Sequence, residues 1–225
     1  MQEKRSDDSE YREERATPPR AGTARTQLTI TSERKNEMPN WCKNNLRIKG
    51  NGEKVLELLE MMKDEDGEMT FDKLVPEPIE LKDTTSPTPD DVPQEERDRL
   101  KKLYGADNWY DWRCQNWGVK WNASESGFYK RGDDWIVSFQ TPWGPPIEFL
   151  KRMSRQFSKI TFILQFADET ESGYPLGQDT FINGEECVEG PLEATPQARE
   201  FASLVWEEEW VDDWTKLKGK EEEDM

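Results

Sequence analysis

Along the first 37 positions there is no hydrophobic period. Leu28 and Ile30 are the only large aliphatic residues among eight basic and eight acidic ones. Such a segment cannot bury enough apolar surface to offset its ordering entropy, so the pattern predicts a disordered tail over 1–37. The composition changes abruptly at Met38-Pro39-Asn40-Trp41-Cys42. Two readings of the tail stay open: a flexible extension, or an over-long gene start with Met38 as the biological one.

From there the pattern alternates between two periods. Leu46 and Ile48 alternate with Asn45, Arg47 and Lys49, a half-buried strand ended by Gly50-Asn51-Gly52. Val55, Leu58, Leu59 and Met62 follow at helical spacing and predict an amphipathic helix over about 52–64. Residues 71–78 read as extended, held out of helix by their prolines. The stretch at about 76–110 is rich in Pro and acidic residues and reads as a long insertion, with a short helix from Arg97 to Tyr104. Trp117, Val119, Trp121 and Ala123 alternate with polar residues and predict a second strand. Trp135, Val137, Phe139 and Thr141 predict a third. Pro145-Pro146 opens a helix with the stripe Ile147, Leu150, Met153 and Phe157, and Ile160 to Ala167 forms a fourth strand.

The resulting order is β-α-β-β-α-β. That predicts an α+β, ferredoxin-like domain over 38–170: a four-stranded antiparallel sheet in spatial order 4-1-3-2, with two helices on one face. Residues 171–217 add a loop or hairpin around Asp179 and a last helix, with Thr195 as N-cap and Pro196 at its first position. Trp206, Trp210 and Trp214 recur every four residues on that helix, and 218–225 reads as an acidic tail.

Four segments resemble the YubB-type ferredoxin-like family of phage- and plasmid-borne proteins. They are Met38-Pro-Asn-Trp-Cys-Lys-Asn-Asn-Leu-Arg-Ile-Lys-Gly50, Phe71-Asp-Lys-Leu-Val-Pro-Glu-Pro78, Asn116-Trp-Gly-Val-Lys-Trp-Asn-Ala123 and Thr141-Pro-Trp-Gly-Pro-Pro146. The segments run in order across about residues 38–170. The resemblance implies the fold and a mobile-element origin. It implies no enzymatic residues. The acidic, Pro-rich insertion and the Trp-rich C-terminal helix depart from the family pattern.

Composition then narrows the chemistry. The chain of 225 residues carries a net charge of −17 and no histidine, so His-dependent triads, imidazole acid–base catalysis and His-ligated metals are excluded. The three cysteines, Cys42, Cys114 and Cys187, form no C-x-x-C pair, and their odd count points to a reducing cytoplasm, here of a bacterial host. No apolar run reaches membrane-span length, and the first residues lack the apolar region of a signal peptide.

Three sets of residues are candidates for function. The first is the C-terminal stripe Trp206, Trp210 and Trp214 with Glu207, Glu208, Glu209, Asp212 and Asp213, able either to pack on the domain or to anchor a protein partner. The second is a polar sheet face of Asn45, Arg47, Lys49, Lys120, Asn122, Gln140 and Gln165, suited to nucleic acid or a small ligand. The third is a set of carboxylates at strand ends, Asp133-Asp134 and Asp168-Glu169, which a metal-dependent hydrolase would use. A basic stripe of Lys151, Arg152, Arg155 and Lys159 reads as ordinary helix surface.

The expectation is therefore a non-enzymatic accessory protein without a cofactor. It would bind a host protein, such as a nucleic-acid-handling component of a defence system, through its acidic appendages, and antagonise it. Nucleic-acid binding at the sheet face is the rival, and carboxylate-dependent hydrolysis comes after it. No membrane association is expected, and the sequence leaves the oligomeric state open.

Overall fold

The computed structural model describes residues 39–170, 173, 175–190 and 195–218. The predicted N-terminal tail and the acidic tail beyond Lys218 lie outside the described residues. Strand β1 (Trp41–Lys49) sends Cys42, Leu46 and Ile48 to the core. Helix α1 (Gly52–Met62) starts at Asn51, whose side chain accepts a hydrogen bond from the Glu53 amide, and buries the predicted Val55, Leu58, Leu59 and Met62.

The predicted insertion is mostly helical: α2 (Ile79–Lys82), α3 (Gln94–Tyr104) and α4 (Trp109–Asn116). Asn108 caps α4 by accepting from the Asp111 amide at 2.9 Å. The predicted strand at 117–123 is not formed. Trp117 closes α4 with its amide on the Arg113 carbonyl at 2.7 Å, and Gly118 takes the left-handed conformation at φ +84°. That geometry ends helices and turns the chain, which breaks any ladder. Strand β2 instead occupies Ser124–Arg131.

Strand β3 (Asp134–Pro142), helix α5 (Ile147–Gln156) and strand β4 (Thr161–Asp168) fall where the period places them. Strands β5 (Leu176–Ile182) and β6 (Glu185–Glu189) form a hairpin whose two-residue loop is Asn183-Gly184, both at positive φ. Asn-Gly is the favoured pair for that turn.

The sheet is antiparallel in the order β2-β3-β1-β4-β5-β6. The inner order β4-β1-β3-β2 is the one expected, but among the described residues the sheet has six strands rather than four. The hairpin adds itself to the free edge of β4, where Phe162 pairs with Phe181 and Leu164 with Asp179. Helices α1 and α5 cover one face, and the main core lies beneath them around Leu46, Phe71, Trp117, Phe139, Phe149 and Phe162.

Helix α6 (Pro196–Trp206) lies on the other face, where Ala198, Phe201, Ala202 and Val205 pack on Ala167 and Leu176 in a second apolar cluster. Its N-cap is the predicted Thr195, but the helix stops at Trp206. Trp210 follows in a non-helical segment, and Trp214 opens a 3-10 turn (Trp214–Lys216). The run Glu207-Glu208-Glu209 accounts for the stop: three carboxylates at the negative end of the helix dipole oppose continuation.

Candidate functional site

The polar sheet face is real, and it is covered. Asn45 pairs with Ser138 on one side and Gln165 on the other, and Arg47 lies two residues along β1. Over them runs the segment 205–212, a strap that the side chains of the sheet hold in place. Asn45 Nδ2 donates to the Val205 carbonyl at 2.9 Å. Gln165 Nε2 donates to the Val211 carbonyl at 2.6 Å, and the Val211 amide donates back to Gln165 Oε1 at 3.0 Å.

The charges meet in the same way. Lys43 Nζ lies 2.7 Å from Glu208 Oε1, and that hydrogen bond holds the Glu208 carboxyl below its usual range. Arg47 bonds Asp134 at 2.6 Å and Asp212 at 3.4 Å, with its guanidinium 5.3 Å from the Trp210 ring centre. Arg131 reaches Asp212 at 3.3 Å. Part of each candidate set thus forms one intramolecular contact: Asn45, Arg47 and Gln165 from the sheet with Glu208, Trp210 and Asp212 from the strap.

The remaining members of those sets are spread more widely. Trp206 Nε1 donates to the Asp168 carbonyl at 3.1 Å, and Trp214 packs on the second cluster. Glu207 and Glu209 are exposed, and Asp213 bonds Thr215 and Lys216. Lys49, opposite Thr161, and Gln140, opposite Lys43, lie on the sheet face. Lys120 and Asn122 do not, because no strand forms there. Asn122 instead accepts from the Phe71 amide at 2.8 Å and donates to Thr70 at 2.9 Å.

The strand-end carboxylates do not gather. Asp133 is exposed and Asp134 is paired with Arg47. Asp168 accepts from the Thr170 amide, and Glu169 from the Trp41 amide. Among the described residues no three His, Cys, Asp or Glu side chains converge as a metal centre requires. Cys42 is fully buried, and burial pushes its thiol well above the ordinary value. In the basic stripe, Lys151 is paired with Glu186 at 2.6 Å.

A second arrangement was not foreseen. Trp41 at the start of β1, Trp121 in the turn after α4 and Trp143 after β3 meet at one end of the sheet. Ring centres are 6.3 Å apart for Trp41 and Trp121, and 5.6 Å for Trp121 and Trp143. The Lys120 ammonium sits among indoles: 4.7 Å from Trp121, 5.5 Å from Trp143 and 5.9 Å from Trp109. Among the described residues no carboxylate pairs with it. Trp143 is 49% exposed and holds φ +63°, with its amide donated to the Asn40 carbonyl. A cleft of about 210 Å³ opens beside it, lined by Tyr110, Cys114, Lys120 and Pro142.

A buried ion pair sets this turn. The Glu77 side chain is fully buried and takes both Nε (3.1 Å) and Nη2 (2.7 Å) of Arg113 on one oxygen. The guanidinium lies over Trp109 and Trp117, and Trp117 Nε1 donates to the Val75 carbonyl. Trp117 is core, as expected; Trp121, expected beside it, is half-buried in the patch. One signal was available in the sequence. Trp41 and Trp143 stand among Pro, Asn and Gly, in turn chemistry rather than in a periodic run, and turns carry surface function.

Residues 116–209 match the family model of a ferredoxin-like domain in Api92-like protein. The match takes in the turn of Lys120, strands β2–β6, helix α6 and the first strap residues; β1 and α1 lie before it. Among solved structures, the protein Api92 from Yersinia pseudotuberculosis is similar at 11% identity and TM-score 0.44, over 68% of this chain and 99% of that one. No curated protein matches the chain. Among the described residues no helix is long and apolar enough to cross a membrane.

Proposed function

We propose that this protein is a non-enzymatic accessory protein of the YubB type, carried by a phage or plasmid. It acts by docking a host protein on the tryptophan patch and thereby blocks a component of a host defence system. The observation that carries the docking is Lys120, ringed by Trp109, Trp121 and Trp143 and lacking a carboxylate partner among the described residues. Tryptophans set around a desolvated contact supply most of the energy of an interface, and an uncompensated ammonium at its centre accepts a carboxylate. The surface that fits is an acidic side chain among apolar ones, on a partner neutral or basic overall, because the chain's −17 charge repels anything strongly acidic. The same charge disfavours a polyanion. The mobile-element origin and the defence target rest on the resemblance of the four segments, three of which bring Trp41, Trp121 and Trp143 together.

The test is a pull-down from host lysate at low and high salt with the tagged protein, Trp121→Ala/Trp143→Ala and Lys120→Glu, read by mass spectrometry. The expected result is a protein retained by the unmodified chain and lost from both variants. Nucleic acid recovered without a protein, or the same proteins on all three baits, overturns the reading.

A further inference from the structure

The strap over the sheet face buries Trp210 and Val211 but sets exposed carboxylates on a preformed site. The cations belong to the sheet and are well shielded: the Lys43 side chain is 7% exposed and that of Arg47 18%. The two anions of the strap face water, with Glu208 46% and Asp212 70% exposed. Lys43 and Arg47 are fixed by strand β1, Arg47 also by Asp134 of β3 at 2.6 Å, while Glu208 and Asp212 hang from a segment without regular structure. Two further observations show an imperfect fit. Glu208 sits at φ +58°, a conformation that costs a non-glycine residue roughly 1 kcal/mol or more. Asn45 is buried beneath the strap, yet its Oδ1 has no hydrogen-bond partner.

The contacts also say what kind of occupant the face reads. Gln165 binds the amide and carbonyl of one residue, Val211, and Asn45 donates to a second carbonyl, that of Val205. Those are contacts to a peptide backbone. Lys43 and Arg47 then take carboxylates four residues apart, and Arg47 lies against the indole between them. A phosphate backbone offers no amide and carbonyl for Gln165 to take together.

We propose that the sheet face around Lys43, Asn45, Arg47 and Gln165 is a binding site for an acidic peptide segment of another protein, built as Glu/Asp-x-aromatic-x-Asp/Glu. The chain's own strap is its competitor. Release requires the last turn of α6 to open from Val205 and the buried Trp210 and Val211 to leave the face, while the rest of α6 is held by Ala198 and Phe201 on Ala167 and Leu176. A resident strap lowers the apparent affinity of the external segment by the fraction of time the face is open. This site is separate from the tryptophan patch.

The probe is a fluorescein-labelled peptide with the sequence of residues 203–216, read by anisotropy against the full chain and against Trp210→Ala/Asp212→Asn, which loosens the strap. The loosened variant is expected to bind at least tenfold tighter than the unmodified chain, with binding that weakens as salt rises. Trp143→Ala introduced into the loosened variant leaves this binding unchanged, which separates it from the docking above. Equal affinity of the two chains, or a 20-nucleotide single strand bound by the variant in place of the peptide, overturns the proposal. Should the variant lose its circular dichroism, hydrogen exchange on the unmodified chain decides. The Val211 amide is expected to exchange at least a hundredfold faster than the amides of β1. Exchange of both at one rate defeats a releasable strap.

Discussion

Gln165 holds Val211 by both of its backbone groups, with Oε1 accepting the amide at 3.0 Å and Nε2 donating to the carbonyl at 2.6 Å. One side chain in the middle of β4 thus does for the strap what a neighbouring strand would do. Gln165→Ala leaves a buried amide and a buried carbonyl without partners, each costing about 1–3 kcal/mol. The expected outcome is a drop of about 2 kcal/mol or more in urea unfolding. Gln165→Glu keeps the acceptor but sets a carboxylate against the Val211 carbonyl, and is expected to be at least as damaging. Equal stability of all three chains contradicts the role.

Lys43 and Glu208 form an unequal pair, and the two single variants should differ in sign or size. Glu208→Ala leaves an ammonium that is 7% exposed without its carboxylate, for a loss of roughly 1–3 kcal/mol. The low end applies because water reaches the pair from the Glu208 side. Lys43→Met replaces the buried ammonium by an apolar chain of similar length and leaves Glu208 in water, so stability should stay within about 1 kcal/mol of the parent. A double-mutant cycle in denaturant checks both. The Glu208 carboxyl is held low by the Lys43 hydrogen bond, so its contribution is present above the ordinary carboxylate range and is lost as pH falls through the lowered value.

The strap explains what the sequence could not convey. Alternation over 45–49 predicts a strand with one wet face, and β1 forms there, from Trp41 to Lys49. Lys43 and Asn45 are nevertheless buried, by a segment more than 150 residues away whose acidic composition reads as solvent-exposed. The six-strand sheet escaped for a related reason. The sequence left a loop or a hairpin open around Asp179, and the hairpin's docking on β4 depends on an edge that no local pattern marks. The shift of the second strand from 117–123 to 124–131 came from Gly118, one residue whose positive φ outweighs a well-formed alternation. The tryptophan patch was hidden for the opposite reason, since indoles at strand spacing usually mean core, and Trp117 is core while Trp121 is not.

Asp179 should give the domain an inverted pH response. It is 4% exposed on β5, facing Glu186 and Glu189 from the hairpin and Lys151 from α5. Burial, then the negative charges of Glu186 and Glu189, push its carboxyl up to about 6 from 3.8. The folded chain therefore keeps a proton that the unfolded chain has released, and stability falls as pH rises through that window. Above it the buried charge stays as a standing penalty. Asp179→Asn removes the ionisation and keeps the shape. The expected result is a higher Tm than the parent at pH 8 and little difference at pH 4, read by thermal melts across that range. A variant less stable than the parent at pH 8 rules out this account.

Trp117, buried at the end of α4, and Trp143, exposed after β3, should separate folding from binding. Trp117 is fully buried, donates its Nε1 to the Val75 carbonyl at 2.9 Å and stacks edge-on against Phe71 and Trp112. Trp117→Ala opens a cavity at the centre of the main core, at about 3–5 kcal/mol, enough to unfold many domains of this size. Trp143 is 49% exposed, and its indole touches Trp121 and Lys120 rather than the core. Trp143→Ala should shift stability by no more than about 1 kcal/mol, yet it removes an aromatic anchor. An interface hot spot of about 2 kcal/mol corresponds to a loss of ~30-fold in affinity. Lys120→Met keeps the packing on the indoles and removes the ammonium, so it should weaken the same partner while leaving Tm unchanged. A Trp143→Ala chain that melts like the Trp117→Ala chain shows that the patch is structural. A chain that keeps its Tm and its partner removes the patch from function.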